Sequence, residues 1–441
     1  MPPRIGLLII GHPDYQNDIG QHFARQAVEA LQQQGVDVVF DPEPHTAAVS
    51  AGCAARELLK QDVEGVICFL GTWIECSTAV AAIREFEHLP FAIWGFNMFQ
   101  WEGKRDSTGS FVAVCVLKGA LDRMQYRFKT LIGLPDDDTV VSQATAFCRA
   151  AHAVQALKRT RLGLVGYAAM SMYPGTFDHV LLRRHIGPEV VHFDSYTLIQ
   201  RAEQIAEADT DEAVAHIRGE AKIEATDERL RKSVNLGLAL EQLCEEHDLN
   251  ALNVKCQYEL SQQYCMTACL PISMTADRGI VSACEGDVII TTTMAMLHYL
   301  SDQVIYYGDI LDLQGDQMLL SSCGFAPFSL KHEEDELVIR ELGHKGFDGL
   351  ICSMTLKRGP LTFARLVEGS AGDWRLNYGT GTGVHTELRQ GRFPGLEVKL
   401  DGSPEKLIET MASQHFAICY GDVTASLEDL CHVLDIEPVR I

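Results

Sequence analysis

Ile280-Val281-Ser282-Ala283-Cys284-Glu285-Gly286-Asp287 begins the stretch that decides the fold of this chain. The apolar segment that follows, up to Leu300, has the length of a helix, and residues 304–311 (Val-Ile-Tyr-Tyr-Gly-Asp-Ile-Leu) are typical of a strand. A strand, a crossover helix and a returning strand form one α/β unit, which predicts that both strands lie in the same sheet.

Two carboxylates occupy unusual positions in this stretch. Glu285 ends the first strand-like run, and Asp309 interrupts the second, where Asp is disfavoured unless something solvates it. Two acids at one buried position repel each other, so either one is protonated or a cation lies between them. We favour the cation. The structural alternative makes Glu285 an acid near a helix N-terminus with Asp287 as the N-cap, and Asp309 a loop acid at a strand end.

Composition and charge limit the classes of partner. The chain has 441 residues, of which 46% are hydrophobic and 22% charged, and this length predicts two or three globular domains. A net charge of −23, without a prominent Lys/Arg cluster, argues against nucleic acid and anionic membranes, and we find no segment long enough to span a membrane. One local basic pocket can still hold a single anionic group.

The N-terminal segment and the cysteines indicate a cytoplasmic protein. Ile5–Ile10 is a short strand pattern rather than a signal peptide, and the fourteen cysteines show no paired framework, which is typical of reduced thiols. Cys265 and Cys269 form an isolated C-x3-C pair, and without a second pair we do not expect zinc there.

Residues 1–158 are predicted to form a first α/β domain. Strand and helix patterns alternate, which is typical of a doubly wound parallel sheet, and a dinucleotide is disfavoured because no G-x-G-x-x-G motif occurs. The loops after the strands carry His12 and Trp73, which we take as candidates for ligand binding. The structural alternatives are a satisfied loop imidazole for His12 and an apolar plug at a domain or subunit contact for Trp73.

Two further domains are predicted after the first. Residues 159–298 read as a second α/β domain that carries Glu285, and residues 299–441 as a β-rich domain that carries Asp309 and His415. Regular Gly-rich turns between short strands in the last part indicate a small antiparallel barrel or sandwich. The predicted fold is therefore two doubly wound, Rossmann-like α/β domains followed by a mostly antiparallel, β-barrel-like C-terminal domain.

Several motifs resemble those of the L-fucose/L-arabinose isomerase family. Cys284-Glu285-Gly286-Asp287 and Gly308-Asp309 match its first two metal-ligand motifs, and their separation of 24 residues (309 − 285) is that of the L-fucose branch. Gln414-His415, followed by an apolar strand, fits the family's third ligand, and Leu320-Ser321-Ser322-Cys323-Gly324 resembles its substrate loop. The resemblance in sequence motifs extends from Lys255 to the C-terminus, and before Lys255 only the architecture is similar. The chain is also shorter than the typical L-fucose isomerase.

This resemblance implies a metal site and roles for its residues. Glu285, Asp309 and His415 would bind Mn²⁺, with Mg²⁺ or another divalent ion as an alternative, because two carboxylates and an imidazole form a hard donor set. Glu285 and Asp309 would also move a proton between C1 and C2 of the sugar, while the ion polarises the carbonyl. Ser322 and Gln414 would bind sugar hydroxyls.

The resemblance also implies a homo-oligomer. In the L-fucose branch, loops of the first domain reach the sugar bound by a neighbouring subunit, and His12 and Trp73 occupy corresponding positions, although a basic residue is usual where His12 stands. We therefore expect a trimer or a dimer of trimers with the active site at the subunit interface.

The predicted function is a metal-dependent aldose–ketose isomerase that acts on an open-chain sugar through an enediol. One alternative is an isomerase of an acidic hexose, such as a sulfonated one, with Lys255, Arg105 or His12 as anion anchors. A second alternative is a sugar-binding protein without catalysis, which would have no use for a metal triad.

Overall fold

The chain forms two compact units in the computed structural model, which describes residues 2–344 and 347–441. The first unit comprises the chain up to Ala156 together with Ala425–Leu434, and the second comprises Leu157–Thr424 and Asp435–Ile441. The predicted division of the chain at residues 158 and 298 stays a prediction.

A parallel sheet forms the centre of the first unit. Strands β1 to β7 of the chain are Arg4–Ile10, Asp37–His45, Gly65–Leu70, Phe91–Gly95, Phe99–Trp101, Lys104–Asp106 and Lys129–Ile132. Helices α1 to α5 are Asn17–Gln33, Ala48–Leu59, Cys76–Phe86, Ser110–Arg123 and Asp138–Arg159. The sheet has the order β2-β1-β3-β4-β7 with all pairs parallel, while β5 and β6 form a separate antiparallel hairpin.

Alternate side chains of β1 enter two different cores. Ile5, Leu7 and Ile9 pack with residues of α1 and α5, whereas Leu8 and Ile10 pack with residues of α2, α3 and α4. Because successive side chains of a strand point to opposite faces, helices cover both faces of this sheet. The first unit is therefore doubly wound.

The second unit begins with another parallel sheet. Strands β8 to β12 are Arg161–Val165, Glu189–Phe193, Lys222–Glu224, Ala251–Val254 and Val281–Cys284. Helices α6 to α11 are His179–Leu181, Ser195–Ala202, Glu207–Glu220, Asp227–His247, Cys269–Asp277 and Val288–Ser301. The order of this sheet is β12-β11-β8-β9, and the pairs are parallel, while β10 lies outside it.

A closed antiparallel barrel follows in the same unit. Strands β13 to β21 are Tyr306–Gln314, Gln317–Ser321, Val338–His344, Phe347–Ser353, Gly359–Glu368, Trp374–Val384, Gly395–Leu400, His415–Tyr420 and Ile436–Arg440. The remaining α-helices, α12 and α13, are Pro404–Thr410 and Thr424–Leu434. Six strands close the barrel in the order β17-β20-β13-β14-β19-β18 and back to β17, with β21 added in parallel to β18. Strands β15 and β16 form a smaller sheet with β10.

The predicted fold class is confirmed, since parallel Rossmann-like sheets precede an antiparallel barrel. One topological prediction is wrong: β12 and β13, on either side of α11, do not share a sheet. β12 pairs with β11 at the edge of the parallel sheet, whereas β13 pairs antiparallel with β14 and β20 in the barrel. Across the described residues, the longest apolar helices fall short of what a membrane crossing requires.

Candidate active site

Glu285, Asp309 and His415 converge where the parallel sheet meets the barrel. Glu285 follows β12 directly, and Asp309 on β13 is the register partner of His415, the first residue of β20. His415 Nε2 lies 3.3 Å from Glu285 Oε2 and 3.4 Å from Asp309 Oδ1. One potential ligand atom from each residue lies within 4.8 Å of the other two, so the three side chains can share one ion.

A tight turn after β12 places the Glu285 carboxylate. Glu285 has a φ of +69° and Gly286 a φ of +71°, so two successive residues adopt the left-handed conformation. A Cβ at position 286 would lie 2.5 Å from the carbonyl oxygen of Tyr167, which is why glycine is required there. The Gly286 N–H donates to Asn253 Oδ1 at 2.8 Å, which holds the turn against the neighbouring strand end.

Asp287 connects α11 to the imidazole and to a buried arginine. Its Oδ1 accepts from the backbone N–H of Ile290 at 2.9 Å, so the interpretation of Asp287 as an N-cap is correct. Its Oδ2 accepts from Arg365 Nη1 at 2.7 Å and lies 2.8 Å from His415 Nδ1. Because Nδ1 donates to this carboxylate, Nε2 of His415 is turned toward Glu285 and Asp309, where it would be available to a cation once its own proton has left.

Burial and neighbouring charges shift the pKa values of the cluster. Burial raises the pKa of Glu285 to about 7, against the opposing effect of its hydrogen bond with His415. Burial alone would raise the pKa of Asp287, but the Arg365 guanidinium and the His415 hydrogen bond lower it below its usual range. Burial alone would lower the pKa of His415, but its bonds to Asp287, Asp309 and Glu285 raise it well above its usual value.

This donor set fits a divalent cation. Two carboxylates face one imidazole nitrogen in a buried position, and without a cation the cluster must retain a proton to limit the repulsion. Carboxylate and imidazole ligands suit Mn²⁺, and they suit Mg²⁺ where carboxylates dominate. The sequence-based ligand assignment and the choice of Mn²⁺ stay predictions.

Gln414 and Ser322, which were predicted to bind sugar hydroxyls, differ in their surroundings. Gln414 Nε2 lies 3.3 Å from His415 Nε2 and 3.0 Å from Met172 Sδ, so its amide reaches the cluster. Ser322 is buried, and its hydroxyl donates to the Phe325 carbonyl at 2.6 Å. That hydroxyl supports its own loop, and the predicted contact of Ser322 with substrate stays a prediction.

Two cysteines line the opposite side of Glu285. Cys323 Sγ lies 3.8 Å from Glu285 Oε1, and Cys284 Sγ lies 2.8 Å from the hydroxyl of Tyr307. The Tyr307 ring in turn meets the His415 ring edge-on, with the centroids 5.3 Å apart. Sequence reasoning recognised neither thiol as part of the site.

His12 and Trp73 belong to the first unit, whereas the three predicted metal ligands belong to the second. Their rings contact each other with centroids 5.1 Å apart, and Tyr15 packs against both, at 5.4 Å from His12 and 5.9 Å from Trp73. The loops after β1 and β3 thus form one aromatic cluster. Its approach to a neighbouring subunit, and the homo-oligomer itself, stay predictions.

Lys255 is the proposed anion anchor that lies beside Glu285 in the fold. It directly follows Val254, which pairs with Cys284, so Lys255 and Glu285 extend neighbouring strands at their carboxyl ends. Its side chain is fully buried, with Nζ ion-paired to Glu259 and 3.8 Å from the centre of the Tyr167 ring. Arg105, the other basic candidate besides His12, lies on β6 of the first unit.

Arg365 is the buried charge that sequence reasoning missed. It interrupts the apolar run Leu361-Thr-Phe-Ala-Arg-Leu-Val367 on β17, and its side chain is 1% exposed. A charge in a strand-like apolar run is the same signal that singled out Asp309. Applied along the whole chain, that signal would have found Arg365 as well.

Relatives of this chain are sugar isomerases of low sequence identity. No protein-family model matches the chain. Proteins named sulfoquinovose isomerase from Priestia megaterium and Priestia aryabhattai are each 20% identical over 441 residues, which cover 97% of this chain and 97% of each relative. A sulfoquinovose isomerase from Alkalicoccus urumqiensis is 22% identical over 324 residues, or 71% of this chain and 72% of that protein.

The likeness of this chain to a solved structure is too low to indicate a function. An ABC-transporter solute-binding protein from Burkholderia multivorans aligns with 69% of this chain at 9% identity, with a TM-score of 0.20. The sequence relatives, by contrast, are similar along nearly the whole chain. They confirm the prediction that this protein is an enzyme of the aldose–ketose isomerase class, while its place in the L-fucose branch stays a prediction.

Proposed function

We propose that this protein is a metal-dependent aldose–ketose isomerase with its active site at Glu285, Asp309 and His415. The observation that carries the proposal is the convergence of both carboxylates on one imidazole nitrogen, at 3.3 and 3.4 Å. These residues come from two different sheets, so their meeting is not a by-product of one local pattern. A sugar-binding protein without catalysis has no need of such a set, and the relatives named as isomerases agree with catalysis.

Glu285, Asp309 and His415 would hold the divalent ion, and Asp287 would orient the imidazole through Nδ1. When bound, the ion would polarise the carbonyl of the open-chain sugar and stabilise negative charge on its oxygens. Gln414, whose amide lies beside His415, is placed to donate to a sugar hydroxyl. Glu285 and His415 are buried, which would strengthen their polar interactions with the substrate, whereas the Asp309 side chain is 28% exposed.

Proton transfer is assigned to the two carboxylates. One takes the proton from C2 of the aldose, and its conjugate acid returns a proton to C1, while the hydroxyl proton moves from O2 to O1. The reaction therefore conserves atoms and electrons within the sugar and requires no external oxidant or reductant. Positioned general bases typically contribute about 10²–10⁴-fold to such a step.

We further propose that the substrate is a hexose that carries a sulfonate group. The relatives along the whole chain are named for sulfoquinovose, a sulfonated sugar. Lys255 directly follows the last register pair of β11 and β12, Val254 with Cys284, as Glu285 does on the other strand. The ammonium is shielded from water and ion-paired to Glu259, whose side chain is 37% exposed, so a sulfonate would have to share Lys255 with that carboxylate or displace it.

Metal removal tests the proposed function directly. Chelator-treated protein is expected to lose isomerase activity, and Mn²⁺ is expected to restore it better than Zn²⁺, because carboxylates outnumber the nitrogen ligand. The assay follows aldose–ketose interconversion, with metal content measured on the same samples. Full turnover by protein shown to be free of metal would contradict the proposal.

The substrate proposal is tested by pairing a sulfonated hexose with the same hexose lacking the sulfonate. Wild-type enzyme is expected to prefer the sulfonated sugar in kcat/KM, and Lys255→Met is expected to raise KM for that sugar alone. Lys232→Met is the matched control, because Lys232 Nζ also lies over a tyrosine ring, 3.9 Å from the centre of Tyr264. Equal effects of Lys255→Met on both sugars would remove Lys255 as the anion anchor.

A further inference from the structure

A second potential ligand set shares Glu285 with the first. Cys284, Glu285 and Cys323 each offer a ligand atom within 4.8 Å of the other two, as Glu285, Asp309 and His415 do. We propose that Cys284, Glu285 and Cys323 bind a thiophilic divalent ion such as Zn²⁺ or Cd²⁺, and that this ion excludes the catalytic ion because both need Glu285.

The two thiols approach Glu285 from different elements. Cys284 is the last residue of β12, next to Glu285 in the chain, and Cys323 lies in the loop after β14 with Sγ 3.8 Å from Glu285 Oε1. Contacts hold both in place: the Tyr307 hydroxyl lies 2.8 Å from Cys284 Sγ, and Cys269 Sγ donates to the Cys323 carbonyl at 3.8 Å. The pair is therefore positioned by the fold before any ion binds.

Ligand chemistry separates the two sets. Glu285 with Asp309 and His415 offers oxygen and nitrogen, which suit Mn²⁺, whereas Glu285 with two thiolates offers the sulfur that Zn²⁺ and Cd²⁺ prefer. Binding of the ion to a protonated thiol releases that proton to solvent. A thiophilic ion thus has a competing site that shares the Glu285 carboxylate with the site of the catalytic ion.

The first step of the test needs no enzyme activity. Metal-free protein titrated with Cd²⁺ is expected to develop the ultraviolet charge-transfer absorption of cadmium–thiolate bonds at the first equivalent. The double variant Cys284→Ala/Cys323→Ala is expected to lose this absorption, whereas Cys148→Ala, a matched buried cysteine of the first unit, is expected to keep it. Circular dichroism and thermal melting of each variant verify that it is folded.

The second step tests whether Glu285 is shared. Excess Mn²⁺ is expected to suppress the cadmium–thiolate absorption, and Asp309→Asn is expected to keep that absorption while weakening Mn²⁺ binding. In the active enzyme, Zn²⁺ is expected to compete with Mn²⁺, and part of that competition is expected to disappear in Cys323→Ala. Each comparison between variants uses the affinity of the protein for the metal ion and not the absolute rate of isomerisation.

Two outcomes would overturn this inference. One is an equal cadmium absorption in the wild type and in the double cysteine variant, which would place the bound thiolates elsewhere. The other is a cadmium–thiolate absorption that Mn²⁺ does not affect, which would show that Glu285 is not shared. The cadmium result is independent of the proposed function, because a protein without isomerase activity would still show or lack the absorption.

Discussion

Glu285→Gln and Asp309→Asn are each expected to lower turnover by about 10²–10⁴-fold, the usual contribution of a general base, and to weaken Mn²⁺ binding as well. Both changes nearly preserve volume and shape, so the loss comes from the missing charge and the missing base rather than from packing. We expect the metal-free variants to melt close to metal-free wild type. Metal content, turnover and melting temperature, measured on the same preparations, check this result.

Asp312→Asn is the matched control for these variants. Asp312 lies on β13 like Asp309, but it is exposed and bonds to its own neighbours Leu313 and Gln314. Its replacement is expected to leave metal content and turnover unchanged. If Glu285→Gln or Asp309→Asn behaved like this control, the residue concerned would be a structural acid, as the alternative interpretation of the sequence holds.

Arg365→Met is expected to destabilise the second unit by about 3–5 kcal/mol, because it leaves the Asp287 carboxylate buried without its guanidinium partner. The side chains of both residues are 1% exposed, so water cannot replace the lost interaction. The His415 ring is also expected to be held less firmly, because the same oxygen of Asp287 lies 2.8 Å from its Nδ1. Urea unfolding of the metal-free protein measures the change in the free energy of unfolding.

An exposed ion pair provides the contrast. Arg218 Nη2 lies 2.8 Å from Asp227 Oδ1, but the two side chains are 48% and 62% exposed. Arg218→Met is therefore expected to cost only about 0.2–1 kcal/mol, the range of surface pairs. Similar costs for Arg218→Met and Arg365→Met would show that the buried pair does not support the site in the way described.

The fold class could be predicted because the hydrophobic periodicity of a helix or strand is visible within a short stretch of sequence. The strand pattern of Ile5–Ile10 agrees with β1, and that of residues 304–311 overlaps β13. Strand pairing is not local, and β13 was placed in the wrong sheet for that reason. Its actual partner β20 lies about a hundred residues later in the chain, and nothing in the sequence of β13 specifies that partner.

Charges out of place in apolar runs located most of the candidate site. Glu285 and Asp309 were found in this way, and His415 by its resemblance to a family motif. The contact of Asp287 with His415 was not predicted, because the role of a helix N-cap already accounted for this acid. Cys284 and Cys323 lie within two of the quoted motifs, but no role was predicted for their thiols, because loop and strand bring the two together only in the folded chain.

The left-handed backbone at Glu285 has an evolutionary consequence. A φ of +69° costs a non-glycine residue about 1–2 kcal/mol, a cost that glycine at this position would not incur. Selection for stability alone would therefore tend to replace Glu285 with glycine, whereas selection for catalysis must tolerate the strain. A descendant that no longer needs the catalytic activity should lose this glutamate early. Retention of the glutamate therefore distinguishes active members of a lineage from members that have kept only the fold.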